Sequence, residues 1–277
     1  MIYMDKVLLA FDGQHFSDEV FQFVKQMNEV RPVMAVAIFL SSIDYGEILY
    51  SYGGVVAGPV MTTDFVPADD VLTQKNITLF KELCEQHKIK YKVHEDFGED
   101  IIAKVKTESR FADLLVLGAA SFYSNLENDV QDDYIATIFH KAECPVIMVP
   151  KDYKKTENIF IAYDGSEQSV FAIKQFAYLF PGLCHLPTLL VYFNKSKDGV
   201  PDRDKIEELV NAHFSNATIS KLKLDPKKDV LQYIEQNGAT LLVSGAFGRS
   251  LLSETFRQSF ITDALHLRKL PIFVTHK

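Results

Sequence analysis

Two glycines three apart, Gly245 and Gly248, follow the apolar run Leu241-Leu-Val-Ser244 and precede Arg249, Ser250, Ser253 and Arg257. Residues of these types in this order suit an anion. Gly245 permits a turn that a β-carbon would crowd, and Gly248 lets backbone N–H groups approach a ligand closely. The hydroxyls add donors and the guanidinium groups add positive charge. A helix beginning at or just after Ser259 would aim its own N-terminal N–H groups, and that serine's hydroxyl, at a phosphate. A second constellation, Asp164-Gly165-Ser166, ends another apolar run at residues 159–163. In an open parallel sheet both loops would lie beyond the carboxyl ends of the strands, where ligands bind at the reversal of strand order.

The elements that must position these loops occur twice. KVLLAFDG at residues 6–13 returns as NIFIAYDG at 158–165, LLVLGA at 114–119 returns as LLVSGA at 241–246, and CPVIMVP from Cys144 is echoed by LPIFVTH from Leu270. The runs are continuously apolar, as in strands buried on both faces, and they alternate with helical stretches. Strands are expected at 7–11, 33–40, 90–94, 114–118 and 146–149, then at 159–163, 188–193, 218–222, 241–244 and 272–275. Helices fill the gaps: one capped by Ser17-Asp-Glu and running to Val30, others at 71–87, 99–108 and near 135–141, and counterparts in the second copy. Right-handed crossovers then give doubly wound α/β sheets. The domains are expected at 1–150 and 151–277, joined by the charged connector Lys151-Asp-Tyr-Lys-Lys-Thr-Glu157, whose charges read as solvated. Residues 41–68 have no counterpart in the second copy; this long loop either covers the first crevice or packs between the halves.

The copies differ where the chemistry would be. In the first, Ser121 replaces the second glycine, and the phosphate-facing end reads Gln131-Asp132-Asp133, with Glu127 and Asp129 nearby. Those carboxylates would repel a triphosphate, although helix N-capping is the simpler reason for Asp132 and Asp133. The first copy is therefore expected to be a structural partner. Asp12 and Asp164 each precede glycine after a strand, where turn formation alone selects Asp; for Asp164, ligand contact is an equal alternative.

Composition excludes several classes. With 37 acidic against 29 basic residues and a net charge of -8, most of the surface repels nucleic acid and anionic membranes. Three widely spaced cysteines, Cys84, Cys144 and Cys184, form neither a disulfide framework nor a metal-binding spacing, and fit a reducing cytoplasm. No signal-peptide core or membrane-spanning run is expected. The nucleophile elbow, the Walker lysine loop and the Gly-x-Gly-x-x-Gly fingerprint are all missing, so no residue set supports fast catalysis.

On these motifs the chain resembles a tandem universal stress protein over essentially its whole length. Nucleotide-binding members of that family carry Gly-x-x-Gly, nine residues, then Gly-Ser or Gly-Thr. Gly245-Ala-Phe-Gly248, the nine residues 249–257 and Gln258-Ser259 match at three of four positions. The resemblance implies Rossmann-like five-stranded sheets, ordered 3-2-1-4-5, of the adenine nucleotide alpha hydrolase-like kind. The ligand it implies is ATP or AMP, with or without Mg, held between the first and fourth strands. Asp164 would then lie near ribose and adenine, and the backbone around Tyr192 would meet the adenine edge. Gly245, Gly248 and Ser259 would hold ribose and phosphates, with Gly165, Ser166, Arg249 and Gln258 in the same cofactor site. Gln258 stands where the family has glycine: if an uncrowded approach is needed it closes the site, and if only its N–H is used binding survives. The resemblance further implies that strands 145–149 and 271–275 meet antiparallel, as an intramolecular pseudo-dimer that could dimerise again. The expected function is a nucleotide-binding stress-response or regulatory protein of the cytoplasm. Its alternatives are a nucleotide-free scaffold and a slow ATP hydrolase.

Overall fold

Strand β1 (Asp5–Phe11) sends Val7, Leu9 and Phe11 into one apolar core and Leu8 and Ala10 into another, because successive side chains of a strand point to opposite faces. The other central strands do the same, so helices must cover both faces of the sheet. The computed structural model describes residues 4–40, 68–95, 101–122, 128–193, 199–222, 233–234, 238, 240–245 and 269–275.

The first half continues through α1 (Asp18–Val30), β2 (Val33–Phe39), α2 (Ala68–Gln86), β3 (Lys90–Glu95), α3 (Ile101–Ser109), β4 (Leu114–Gly118), α4 (Asn128–Lys141) and β5 (Val146–Val149). The second comprises β6 (Ile159–Tyr163), α5 (Glu167–Leu179), a short 3-10 turn (Pro181–Leu183), β7 (Thr188–Phe193), α6 (Arg203–His213), β8 (Ala217–Leu222), β9 (Leu242–Gly245) and β10 (Ile272–Thr275). The strands form one sheet in the order β3-β2-β1-β4-β5-β10-β9-β6-β7-β8. Each half therefore has the order 3-2-1-4-5, with parallel pairs throughout.

The halves do not keep separate sheets. β10 pairs antiparallel with β5, with Ile272 opposite Met148, Phe273 opposite Ile147 and Val274 opposite Val146. Each of these short strands would otherwise present an unpaired apolar edge. Both cores run through the seam: one contains Val149, Phe176 and Phe273, the other Met148, Leu242 and Val274.

Two sequence expectations change. Helix α4 starts at Asn128, well before residue 135, so Asp132 and Asp133 lie inside it and cannot be its N-caps. The connector is only partly solvated. Its charged residues are exposed, but Thr156 is 2% exposed, and Tyr153 packs edge-on to Phe23 at 5.4 Å while its phenol donates to Gln26 Oε1 at 3.0 Å. Residues 41–67 and the helix expected after Ser259 lie outside the described residues. The cysteines are free and buried, and burial pushes the Cys84 and Cys144 thiols to about 12 and Cys184 to about 11, which keeps them protonated and unreactive. Among the described residues no helix is long and apolar enough to cross a membrane, and no group of three or more His, Cys, Asp or Glu side chains is placed to hold a metal ion.

Candidate functional site

In the second half, Asp164, Gly165, Ser166 and Gly245 come together at the carboxyl ends of β6 and β9, which are hydrogen-bonded neighbours. Asp164 Oδ1 accepts the Ser166 N–H at 2.8 Å, closing the turn that leads into α5. Among the described residues its other carboxylate oxygen has no partner, and the side chain is half-buried at the mouth of the crevice. Gly165 holds φ +81°, a left-handed conformation that favours glycine, under the side chain of Pro201. Ser166 is the N-cap of α5, and its hydroxyl accepts from the Ser169 N–H at 3.1 Å.

Gly245 is needed for a different reason from a turn. A β-carbon there would lie 2.5 Å from the Gln168 carbonyl carbon and 2.6 Å from the Ser169 nitrogen. The absence of a side chain brings the first turn of α5 against the end of β9. Beside it in the sheet, Thr275 is 1% exposed and its hydroxyl has no hydrogen-bond partner among the described residues. A half-used carboxylate can accept from a ligand hydroxyl, and a helix N-terminus at the same sheet end favours a phosphate. Tyr192 lies at the end of β7, opposite Tyr163, but its ring is fully buried at 6.4 Å from the Tyr163 ring. The ring therefore belongs to the core, and only its backbone could face a ligand. Gly248, Arg249, Gln258 and Ser259 lie outside the described residues.

The corresponding crevice of the first half is filled by its own side chains. Asp12, 2% exposed, accepts the His15 N–H through Oδ1 at 2.7 Å and meets His15 Nδ1 through Oδ2 at 2.8 Å, so both oxygens are engaged. Glu19, 8% exposed, accepts from Ser121 Oγ at 2.8 Å, and the Ser17 and Ser121 hydroxyls bond each other. These oxygens crowd over Gly118: a β-carbon on it would lie 2.7 Å from both Glu19 Oε1 and Ser17 Oγ. Burial raises the Glu19 pKa against the pull of its hydrogen bonds. A phosphate entering here would meet a carboxylate with little room to move.

The sequence reading missed His15, Ser17 and Glu19 as the groups that fill this crevice. A signal was available. The chain reaches α1 six residues after Asp12 but reaches α5 only three after Asp164. The longer loop lets His15 fold back over Asp12. At the second position of each helix, Glu19 in α1 corresponds to uncharged Gln168 in α5.

No family model matches the sequence, and no curated protein matches it. Solved structures do. The chain matches a universal stress protein from Archaeoglobus fulgidus DSM 4304 with a TM-score of 0.69 at 16% identity, over 99% of this chain and 96% of that one. The fold is that of the universal stress proteins. A functionally unknown protein from Pseudomonas aeruginosa PAO1 follows the same path at a TM-score of 0.55 and 13% identity, over 99% of this chain and 92% of that one. The cytoplasmic domain of a prokaryotic cation chloride cotransporter does so at 0.52 and 11%, over 98% of this chain and 95% of that one. The universal stress fold thus serves proteins of different roles, and function has to be argued from the site.

Proposed function

We propose that the protein is a universal stress-type regulatory protein that binds one adenine nucleotide, ATP or AMP, in the crevice of its second half. The observation that carries this reading is the contrast between the crevices. One is occupied by Glu19, Ser17, Ser121 and an Asp12 wholly engaged by His15. The other has small residues, a capped helix N-terminus and an Asp164 with one oxygen to offer. In this reading Asp164 takes the ribose hydroxyls, and the loop from Gly245 through Gly248 to Ser259 takes the phosphates, with Mg accompanying ATP. Residues 1–150 serve as the structural partner of the binding domain, 151–277, in an intramolecular pseudo-dimer that works in the cytoplasm. In this reading the nucleotide acts as a signal rather than a substrate, because the sequence lacks the Walker lysine that would assist transfer of the terminal phosphate.

The test is calorimetric titration with magnesium-ATP after removal of carried-over nucleotide. Saturation near one site per chain is expected. Gly248→Asp should abolish it, Asp164→Ala should weaken it about tenfold, the worth of one hydrogen bond to a charged group, and His15→Ala should leave it unchanged. Gln258 favours a second reading, a nucleotide-free scaffold, because it stands where nucleotide-binding universal stress proteins carry glycine. No heat at millimolar ATP would establish that reading over the first.

A further inference from the structure

Residues 199–202, immediately before α6, form a strap across the turn that carries Asp164. The Pro201 ring covers Gly165: a β-carbon there would lie 2.9 Å from Pro201 Cβ and 3.0 Å from its Cγ. Val200, 8% exposed, anchors the strap in the core. Both ends of the strap are left-handed, Gly199 at φ +90° and Asp202 at φ +46°. Asp202 has a β-carbon, so that conformation is unfavourable for it and persists only where the surroundings impose it. Capping does not account for it. Asp202 is the N-cap of α6 but makes no side-chain capping bond, and its carboxylate pairs with Lys205 at 3.1 Å.

The hydrogen bond that fastens the strap comes from β6. Tyr163, the last residue of that strand, donates its hydroxyl to the Pro201 carbonyl at 3.1 Å. At 3% exposure its ring is out of a ligand's reach. Burial, then the nearby Asp202 and Asp164 carboxylates, push the phenol up to about 12, so it is a donor at neutral pH. The first half lacks this device. Phe11 occupies the matching place in β1 and has no hydroxyl. Gly13, the counterpart of Gly165, lies against the Leu40 carbonyl, and α2 holds it directly through Asn76 Nδ2, which donates to the Gly13 carbonyl at 2.8 Å. The tyrosine hydroxyl thus occurs in the half whose aspartate keeps an oxygen to offer.

We propose that Tyr163 is a positioning residue of the Asp164 crevice: it fastens the strap over Gly165, and the strap holds the turn in which Asp164 engages the Ser166 N–H with one oxygen and leaves the other for a ligand hydroxyl. Its effect on nucleotide rests on the reading above, in which Asp164 takes the ribose. The positioning itself is a property of the turn.

The test compares the full chain with its Tyr163→Phe variant in two readouts. By NMR, the Ser166 amide should exchange about fivefold faster in the variant, while amides of β1 keep their rates, which also shows that the variant is folded. By calorimetry, Tyr163→Phe should weaken magnesium-ATP about threefold and leave 2′,3′-dideoxy-ATP, which offers Asp164 no hydroxyl, unchanged. In an Asp164→Ala background it should add no further loss. A tyrosine with a merely structural role would weaken both nucleotides alike. An unchanged Ser166 rate, a rise shared by β1, or equal weakening of the two nucleotides overturns the proposal. Failure of the parent chain to bind either nucleotide overturns the nucleotide reading instead, and the Ser166 rate then decides the positioning role.

Discussion

At Glu19 two effects oppose each other, since burial raises the carboxyl pKa while hydrogen bonds from Ser121 and the backbone lower it, and burial wins. An acid whose pKa is higher folded than unfolded binds protons more tightly in the native state. Its contribution to stability is present below the ordinary value of 4.5 and is lost as pH rises through the raised native value. Glu19→Gln keeps the acceptor for Ser121 and removes the charge, so it should raise the urea midpoint at pH 7 and bring no gain well below pH 4.5. Equal midpoint changes at both pH values would show that charge is not what Glu19 adds. Gly245 poses a steric question instead. The atoms a β-carbon would meet at 2.5 and 2.6 Å are backbone atoms of a helix, which cannot swing aside. Gly245→Ala should therefore cost about 1–3 kcal/mol in urea unfolding; an unchanged midpoint would mean that α5 can retreat from β9.

Among the elements, α1 and α5 start alike in sequence and differently in structure. Ser166 caps α5 through the Ser169 N–H, whereas Ser17, at the N-cap of α1, makes no side-chain capping bond and turns to Ser121. Ser166→Ala should thus lose about 1 kcal/mol of unfolding free energy, and a loss near zero would show that Ser169 and solvent replace the cap. The strands were legible because a strand buried on both faces must be apolar at every position, as in Leu114–Gly118 and Ile159–Tyr163. The start of α4 was not legible. Gln131, 1% exposed, donates to the Phe122 carbonyl, so a polar residue that reads as loop is in fact held inside a helix by a tertiary contact.

At the scale of the whole molecule, one sheet carries both halves and Arg31 ties them at its base. The guanidinium extends from the C-cap of α1 to the buried Asp5 carboxylate and to two carbonyls at the end of α5, where helix carbonyls lack partners. Burial already raises the Asp5 pKa, with Arg31 opposing it. Removing the cation leaves a carboxylate only 2% exposed without its partner. Arg31→Met should cost about 2–3 kcal/mol at pH 7, measured by urea unfolding followed through both tyrosine fluorescence and far-UV circular dichroism. The two probes should stay coincident, because both cores cross the seam. Two separate transitions would mean that the halves fold independently.

The sequence by itself determined the repeat, the strands and the placing of Asp164 and Gly245 just beyond two of them, because local apolar runs and turn chemistry fix strands and the loops that follow them; the order 3-2-1-4-5 came only with the resemblance. The resemblance also implied that the last strands of the two halves meet, and β5 and β10 pair antiparallel. Only the tertiary structure decided that Ser17, Glu19 and Ser121 crowd over Gly118 in the first half. Glu19 turns inward because Ser121, 102 residues away in the turn after β4, is brought to it. The inward turn of Tyr153 and Thr156 from a connector that reads as polar has the same cause. Burial is a property of what packs around a residue, and a linear pattern records only the residue's own preference.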